Sequence, residues 1–253
     1  MSTSVLMYHS LDDRGSVISI APRDFQQQMD LLHQGAYNVI SFGQLVSFLR
    51  EGRPLPERSV VITFDDGFSS VYTVAAPVLE QYGFPATVFL VAGYCGKTND
   101  WPSQPSGVPR MPLMTWSQVL ELEREGFEVG AHTCTHPRLD LVADDELEYE
   151  LVESKAFIED KLGHSVELFS YPYGRFSQSS AAIVQQTYLG ACTTRLGTVK
   201  DKSDPLAIQR IDAHYVRRPQ MFKLLSSPAL SMYLGLRRPV HSAASSLLNR
   251  QWA

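Results

Sequence analysis

Apolar residues recur along this chain in two alternating rhythms. Short runs rich in β-branched and aromatic residues read as strands: Val5–Tyr8, Val60–Phe64, Ala86–Val91, Glu128–Ala131, Leu168–Tyr171, Ala191–Thr193 and Ala207–Ile211. Between them, longer amphipathic stretches read as helices: Asp24–Gln34, Phe42–Arg50, Ser69–Tyr82, Trp116–Glu125, Asp144–Leu162 and Ser177–Thr187. Asp24, Ser69, Asp144 and Ser177 fall near their N-caps, and Gly35, Gly83, Gly126, Gly163 and Gly190 follow or end them. Strands alternating with helices point to repeated βα units around a mostly parallel sheet. Between Gly93 and Pro112, four prolines and three glycines break both rhythms, so a long loop able to wall a cleft is expected there.

With 253 residues, 44% of them hydrophobic, the chain has enough apolar surface for one substantial core; one α/β domain is the default expectation. A net charge of −5 lacks the basic excess of a nucleic-acid binder. The first residues, Met1-Ser-Thr-Ser-Val-Leu-Met-Tyr-His9, have no cationic n-region and only a short apolar run, which favours a cytoplasmic location over a secreted one. Cys95, Cys134 and Cys192 are odd in number and form no CxxC pair, which fits small buried residues in a reducing compartment. No uncharged apolar run reaches the roughly 18 residues of a membrane span. Charge is uneven, however. No acidic residue follows Asp212, whereas Arg217, Arg218, Lys223, Arg237, Arg238 and Arg250 are cationic. Such a tail either pairs with the acidic body or lies on an anionic membrane surface as a peripheral contact.

Three segments carry candidate chemistry, each just after a strand. Thr63-Phe64-Asp65-Asp66-Gly67 puts two carboxylates at a strand end, where the following turn lets both reach one cleft, one free to bind metal and the other to act as a base; a solvated Asp-Asp-Gly turn is the alternative. His132-Thr133-Cys134-Thr135-His136-Pro137 sets two imidazoles four residues apart on a turn, a spacing able to converge on Zn²⁺, Co²⁺ or Ni²⁺. Cys134, in mid-turn, is expected to point away. Tyr171-Pro172-Tyr173-Gly174 is a rigid turn whose backbone N–H could serve as an oxyanion donor, or it is a loop anchor. Strand ends of a parallel barrel gather on one rim.

In order and spacing these segments resemble the first three motifs of the polysaccharide deacetylase family, also known as the NodB-homology family or carbohydrate esterase family four. The opening Val5–Ser10 and the Met114-Thr115-Trp116 segment add to a likeness that covers roughly residues 5–212. The resemblance implies a distorted (β/α) barrel of about seven parallel strands holding one divalent metal, Zn²⁺ first and Co²⁺ or Ni²⁺ as alternatives. It implies Asp66, His132 and His136 as ligands, Asp65 as the base that activates water, and the Tyr173 N–H as oxyanion donor. The domain would span residues 1–215, with 216–253 a basic helical tail. Its implied reaction is removal of N-acetyl groups from amino sugars of a polysaccharide, oligosaccharide or glycolipid. An O-acetyl carbohydrate esterase and a non-catalytic carbohydrate-binding relative are the alternatives.

Two departures stand out. The family's third motif begins with an arginine that orients the base, and Ser170 stands there; Arg210, late in the chain, is the candidate replacement. The family's late leucine-rich strand ends in the histidine that protonates the leaving amine. Here only Ile208-Gln-Arg-Ile-Asp-Ala-His214 remains, making His214 the candidate acid, with Asp212 a candidate to hold it and His9 a second choice.

Overall fold

The computed structural model of the chain describes residues 2–225 and 227–237. Seven parallel strands close on themselves in chain order: β1 (Ser2–Tyr8), β2 (Ser59–Phe64), β3 (Thr87–Leu90), β4 (Glu128–Ala131), β5 (Leu168–Ser170), β6 (Gly190–Leu196) and β7 (Ile208–Asp212). Closure comes from β1, which pairs with β2 on one side and β7 on the other. The register between β6 and β7 slips between Ile208 and Arg210, a local irregularity in an otherwise continuous ladder. The fold is the distorted (β/α) barrel expected, with seven strands rather than eight.

Side-chain alternation divides each strand between two cores. Val5, Val61, Phe89, Leu168, Cys192 and Ile208 come from six different strands and meet inside the barrel. Leu6, Ile62, Val88, Ala131, Phe169 and Ile211 face outward to the helices. There α1 (Pro22–Gln34) contributes Phe25, Met29 and Leu32, all fully buried, each stabilising the layer by about 1.5–3 kcal/mol.

One helix is placed differently. α2 (Phe42–Arg50) packs Phe42, Leu45, Val46 and Leu49 into the interior cluster. Its N-terminus is fastened to Glu128, at the start of β4, through Ser41 Oγ (2.6 Å) and the Gly43 N–H (2.9 Å). Val46 lies so close to Gly190, at the start of β6, that a Cβ there would come within 2.2 Å of it. α2 therefore plugs the N-terminal mouth, leaving the opposite rim for chemistry.

Further helices are α3 (Ala76–Tyr82), α4 (Trp116–Arg124), α5 (Asp144–Glu148), α6 (Ser154–Leu162), α7 (Gln178–Thr187) and, after the last strand, the short α8 (Pro219–Phe222). Two of the expected helices contain a widened π turn: Val71–Ala75 before α3, and Tyr149–Glu153 between α5 and α6. The first has a simple cause in Pro77, which lacks an N–H and whose ring displaces the carbonyl a turn earlier. Two capping expectations also change. α1 and α5 start from Ala21 and Ala143, leaving Asp24 and Asp144 in the first turn, where the carboxylates still favour the helix dipole. Gly35 has φ −79° and Gly190 opens β6, so neither supplies a left-handed helix end.

Of the tail from residue 216, the described part joins the same core: Val216, Phe222, Leu225, Leu230 and Leu234 are buried against the outer layer. Ser4 Oγ donates to the Leu225 carbonyl at 2.7 Å. Residues 226 and 238–253 of that tail lie outside the described residues. Among the described residues no helix is long and apolar enough to cross a membrane.

Candidate active site

Asp65 and His132 continue their strands by one residue, since the Asp65 N–H donates to the Tyr8 carbonyl (2.9 Å) and the His132 N–H to that of Leu90 (2.8 Å). Asp65 thus keeps the inward phase of Val61 and Thr63. By the same alternation Asp66 should face outward, but its φ of +70° turns the chain and brings its carboxylate back inside. Gly67 completes the reversal at φ +77°. Among the described residues six non-glycine positions have positive φ, and four of them, Asp66, Thr133, His136 and Tyr173, belong to this site. Strain of about 1–3 kcal/mol per residue is concentrated where the side chains must converge.

They do converge. Asp66 Oδ1 lies 3.4 Å from His132 Nε2 and 3.3 Å from His136 Nε2, and the two nitrogens are 3.1 Å apart. All three residues are buried, and together they form a group able to hold a metal ion. The hydrogen bonds behind them decide what these atoms offer. His132 Nδ1 is 2.7 Å from the Ser170 carbonyl, which can only accept, so the proton resides on Nδ1. Tyr173 donates its hydroxyl to the Ser103 carbonyl (2.8 Å) and therefore accepts from His136 Nδ1 (3.1 Å). Both Nε2 atoms are left as bare lone pairs. Burial pulls the His136 pKa below its ordinary value despite the facing Asp66, which favours the same neutral form. Asp66 Oδ1 is buried and receives no hydrogen bond. Three lone pairs facing one another without a proton repel unless a cation sits among them, so the Asp-His-His set fits a divalent ion such as Zn²⁺.

Asp65 stays outside that set. Arg210, reaching in from β7, donates from one terminal nitrogen to Oδ1 (2.7 Å) and from the other to Oδ2 (2.6 Å). The guanidinium is also held by the Thr193 carbonyl (3.0 Å), Thr63 Oγ1 (3.2 Å) and Ser170 Oγ (3.0 Å). Burial opposes ionisation of Asp65, but the Arg210 charge and hydrogen bonds outweigh it and hold the carboxyl below the usual range. The result is an ionised carboxylate beside the ligand set, in the form a general base requires.

Tyr173 sits in a left-handed turn at φ +57°, and among the described residues its peptide N–H has no hydrogen-bond partner. Its hydroxyl does something the sequence did not suggest, bracing His136. The loop expected to wall a cleft does so through Trp101 and Ser103. Trp101 lies against the His136 ring, centroids 4.4 Å apart, and Ser103 Oγ donates to the His136 carbonyl (2.5 Å). Asn99, fully buried, staples the loop by donating to the Pro109 carbonyl and accepting the Met111 N–H. Cys134 turns away, its thiol donating to the Tyr149 carbonyl, with a pKa pushed up to about 12 by burial and the Glu150 charge.

The contact between Asp212 and His214 is made through the backbone. The Asp212 carboxylate accepts the His214 N–H (2.9 Å) and caps the turn Ala213–Val216 rather than holding the imidazole. Two residues of separation favour that short link over a side-chain one. Among the described residues, no hydrogen bond or ion pair joins His214 to Asp65, His132 or His136. His9 follows the inward phase of Val5, which places it on the side of the barrel that Asp65 and Asp66 occupy.

A seven-stranded (β/α) barrel with a buried Asp-His-His group and an arginine-clamped aspartate on its open rim defines a hydrolase-type site. Residues 52–191, more than half of the chain, match the family model for polysaccharide deacetylase, and the chain belongs to that family. It is 26% identical over 208 residues to YxkH of Bacillus subtilis (strain 168), assigned as a polysaccharide deacetylase, covering 82% of this chain and 70% of that one. It is 31% identical over 134 residues to the poly-β-1,6-N-acetyl-D-glucosamine N-deacetylase of Escherichia coli (strain K12), covering 51% of this chain but only 20% of that protein. The solved structure of IcaB from Ammonifex degensii superposes with a TM-score of 0.75 at 25% identity, covering 90% of this chain and 97% of that one.

Proposed function

We propose that the protein is a metal-dependent N-deacetylase of amino-sugar chains, with a polymer or oligomer of N-acetylglucosamine as substrate class. The observation that carries this is the pairing of an ionised Asp65, fixed by Arg210, with the lone-pair set of Asp66, His132 and His136. When bound, a divalent ion supplies Lewis acidity, lowering the pKa of water and polarising the acyl carbonyl. Asp66, His132 and His136 hold that ion. Asp65 takes a proton from the attacking water, and Arg210 keeps it ionised and oriented for the transfer. The Tyr173 N–H donates to the acyl oxygen as negative charge develops there. His9 is the better placed of the two candidate imidazoles to return a proton to the leaving amine. The named activity of the Escherichia coli relative supports N- over O-deacetylation.

A purely binding relative has no need of a base locked beside the metal. Metal content and acetate release from N-acetylglucosamine oligomers and from acetylated xylan, on wild type, Asp65→Asn and His132→Ala, test the reading. One equivalent of metal lost with His132, and turnover on the amide substrate lost with Asp65 at full metal content, is the expected result. Release from xylan alone would move the activity to esters.

We further propose that the tail face rests on an anionic membrane surface. Met232 and Leu236 are 69% and 74% exposed, one turn apart on the helix at 228–237, near the exposed Arg237, while Leu230 and Leu234 face the core. Each cation near such a surface contributes about 1 kcal/mol. Co-sedimentation with anionic vesicles should be lost in a Met232→Asp/Leu236→Asp variant; equal binding of variant and wild type removes the idea.

A further inference from the structure

The face that α5, the π turn and α6 turn toward the barrel reads Leu147, Glu150, Leu151, Ser154, Ile158, all buried. Glutamate occupies a core position on that face, 5% exposed, and among the described residues no lysine, arginine or histidine pairs with it. A buried carboxylate without a cation needs strong donors to remain there. It finds them in the turn between the two histidines. Glu150 Oε2 accepts the Cys134 N–H at 2.8 Å and the Thr135 N–H at 3.0 Å, and Oε1 accepts the Thr135 hydroxyl at 2.5 Å.

That turn is where both imidazoles get their direction. It contains two left-handed non-glycine residues, Thr133 (φ +69°) and His136 (φ +58°), a conformation a free turn would relax. Other restraints on it are local or come from the β3 end of the barrel and the loop that follows it: the His136 N–H on Thr133 Oγ1, the Ala92 and Gly93 N–H groups on the Thr133 and Cys134 carbonyls, and the Ser103 hydroxyl on the His136 carbonyl. From the helical layer come the three Glu150 bonds and the Cys134 thiol on the Tyr149 carbonyl, so Glu150 is the main restraint from that side, and the π turn Tyr149–Glu153 lies where its side chain must reach inward while Tyr149 stays exposed.

We propose that Glu150 is a positioning residue of the metal centre. Through three hydrogen bonds to the residues between His132 and His136, it fixes the turn so that both Nε2 atoms aim at one point, and its charge adds to the negative field that favours a divalent ion. The proposal rests on the metal-dependent reading given above.

The test is Zn²⁺ affinity by competition with a chromophoric chelator, together with the visible absorption of the Co²⁺-substituted protein, on wild type, Glu150→Gln and Glu150→Asp. Glu150→Gln should bind Zn²⁺ roughly 10–100-fold more weakly and alter the Co²⁺ bands, with partial recovery in Glu150→Asp. A lower melting temperature with Zn²⁺ affinity and Co²⁺ spectrum unchanged would mark Glu150 as structural only and overturn the proposal. Should Glu150→Gln not fold, Thr135→Val removes one of the three bonds and keeps the carboxylate. A smaller loss of Zn²⁺ affinity is expected there, and unchanged affinity overturns the proposal. A wild-type protein that itself takes up no Zn²⁺, Co²⁺ or Ni²⁺ would bring down the metal reading, and this one with it, whereas a wild type that binds tightly while Glu150→Gln matches it brings down this one alone.

Discussion

Arg210 grips Asp65 from two strands away, over β1, with one guanidinium nitrogen on each carboxylate oxygen at 2.7 and 2.6 Å and both side chains out of solvent. The arginine arrives from β7, while the strand position where the family's third motif has one holds Ser170. Ser170 Oγ lies 3.0 Å from that same guanidinium, so the small residue leaves the room that the long one fills. The orienting charge is kept, on a different strand.

Removing that charge should leave Asp65 with its burial and little to offset it. In wild type the folded-state pKa of Asp65 lies below its unfolded value, so its contribution to stability is present above the unfolded pKa and lost as pH falls through the folded one. In Arg210→Met the folded pKa rises above the unfolded value, and the sign reverses: ionisation now destabilises. The acid limb of kcat/KM is expected to move to higher pH, turnover at neutral pH to collapse, and stability to fall by about 3–5 kcal/mol, as for other broken buried pairs. Metal content should be unchanged. A pH–rate profile, denaturant unfolding and metal analysis on the one variant check all three, and unaltered turnover would sink the orienting role of Arg210.

Much of this arrangement was legible in the sequence because it is local. A strand end followed by Asp65-Asp66-Gly67, or by His132 to His136, announces itself in a few residues, and strand alternation fixes which side chains enter the barrel. Arg210 could be proposed because a missing arginine asks for a substitute. Glu150, Trp101 and Ser103 act at a distance in sequence: Glu150 on a turn 15 or 16 residues earlier, Ser103 on His136 and Tyr173. The trace that Glu150 left was a charge on the apolar face of its helix, between Leu147 and Leu151. The Asp212–His214 link was less legible, because a histidine two residues after an aspartate looks like a held imidazole, whereas the carboxylate accepts the backbone N–H.

Tyr173 carries two separable groups, a backbone N–H without a hydrogen-bond partner among the described residues and a hydroxyl that accepts from His136 and donates to Ser103. Tyr173→Phe removes the second alone. His136 Nδ1–H then loses its acceptor and the loop loses an anchor, so metal binding should weaken roughly 10–100-fold. At saturating metal, kcat should recover most of its wild-type value, because the proposed backbone donor is intact. If kcat stays low when metal affinity is normal, the hydroxyl itself has a part in turnover.

Gly174 follows Tyr173 at φ +64°, and a Cβ there would come within 2.3 Å of Thr194 Oγ1 and 2.6 Å of the Thr194 nitrogen. Neither the backbone angle nor the space admits a methyl group. Gly174→Ala should destabilise the protein by about 1–3 kcal/mol and displace the Tyr173 turn. A melting temperature equal to wild type would show that the turn yields more easily than its packing suggests.

Cys134 lies between the two histidines in sequence and outside their cluster in space, its thiol on the Tyr149 carbonyl and its pKa pushed to about 12. A ligand thiol would have to be ionised. Cys134→Ala should therefore keep one equivalent of metal, with a stability loss of about 1 kcal/mol for the lost packing. Loss of metal in that variant would contradict the ligand set of Asp66, His132 and His136.

Metal should stabilise the fold because the lone pairs of Asp66, His132 and His136 have little else to satisfy them. At a free concentration one hundred times Kd, an ion that binds only the folded chain adds about 2.7 kcal/mol. Binding requires both imidazoles neutral, so the gain is complete at neutral pH and fades as acid protonates them. Burial lowers the His136 pKa, so the part of this loss that His136 carries should fall at a lower pH than that of a free imidazole, whose ordinary value is about 6.5. The difference in melting temperature between Zn²⁺-loaded and chelator-treated protein, followed from pH 8 downward, measures it. A difference that persists undiminished well into acid would mean the ion is held by groups other than the two histidines.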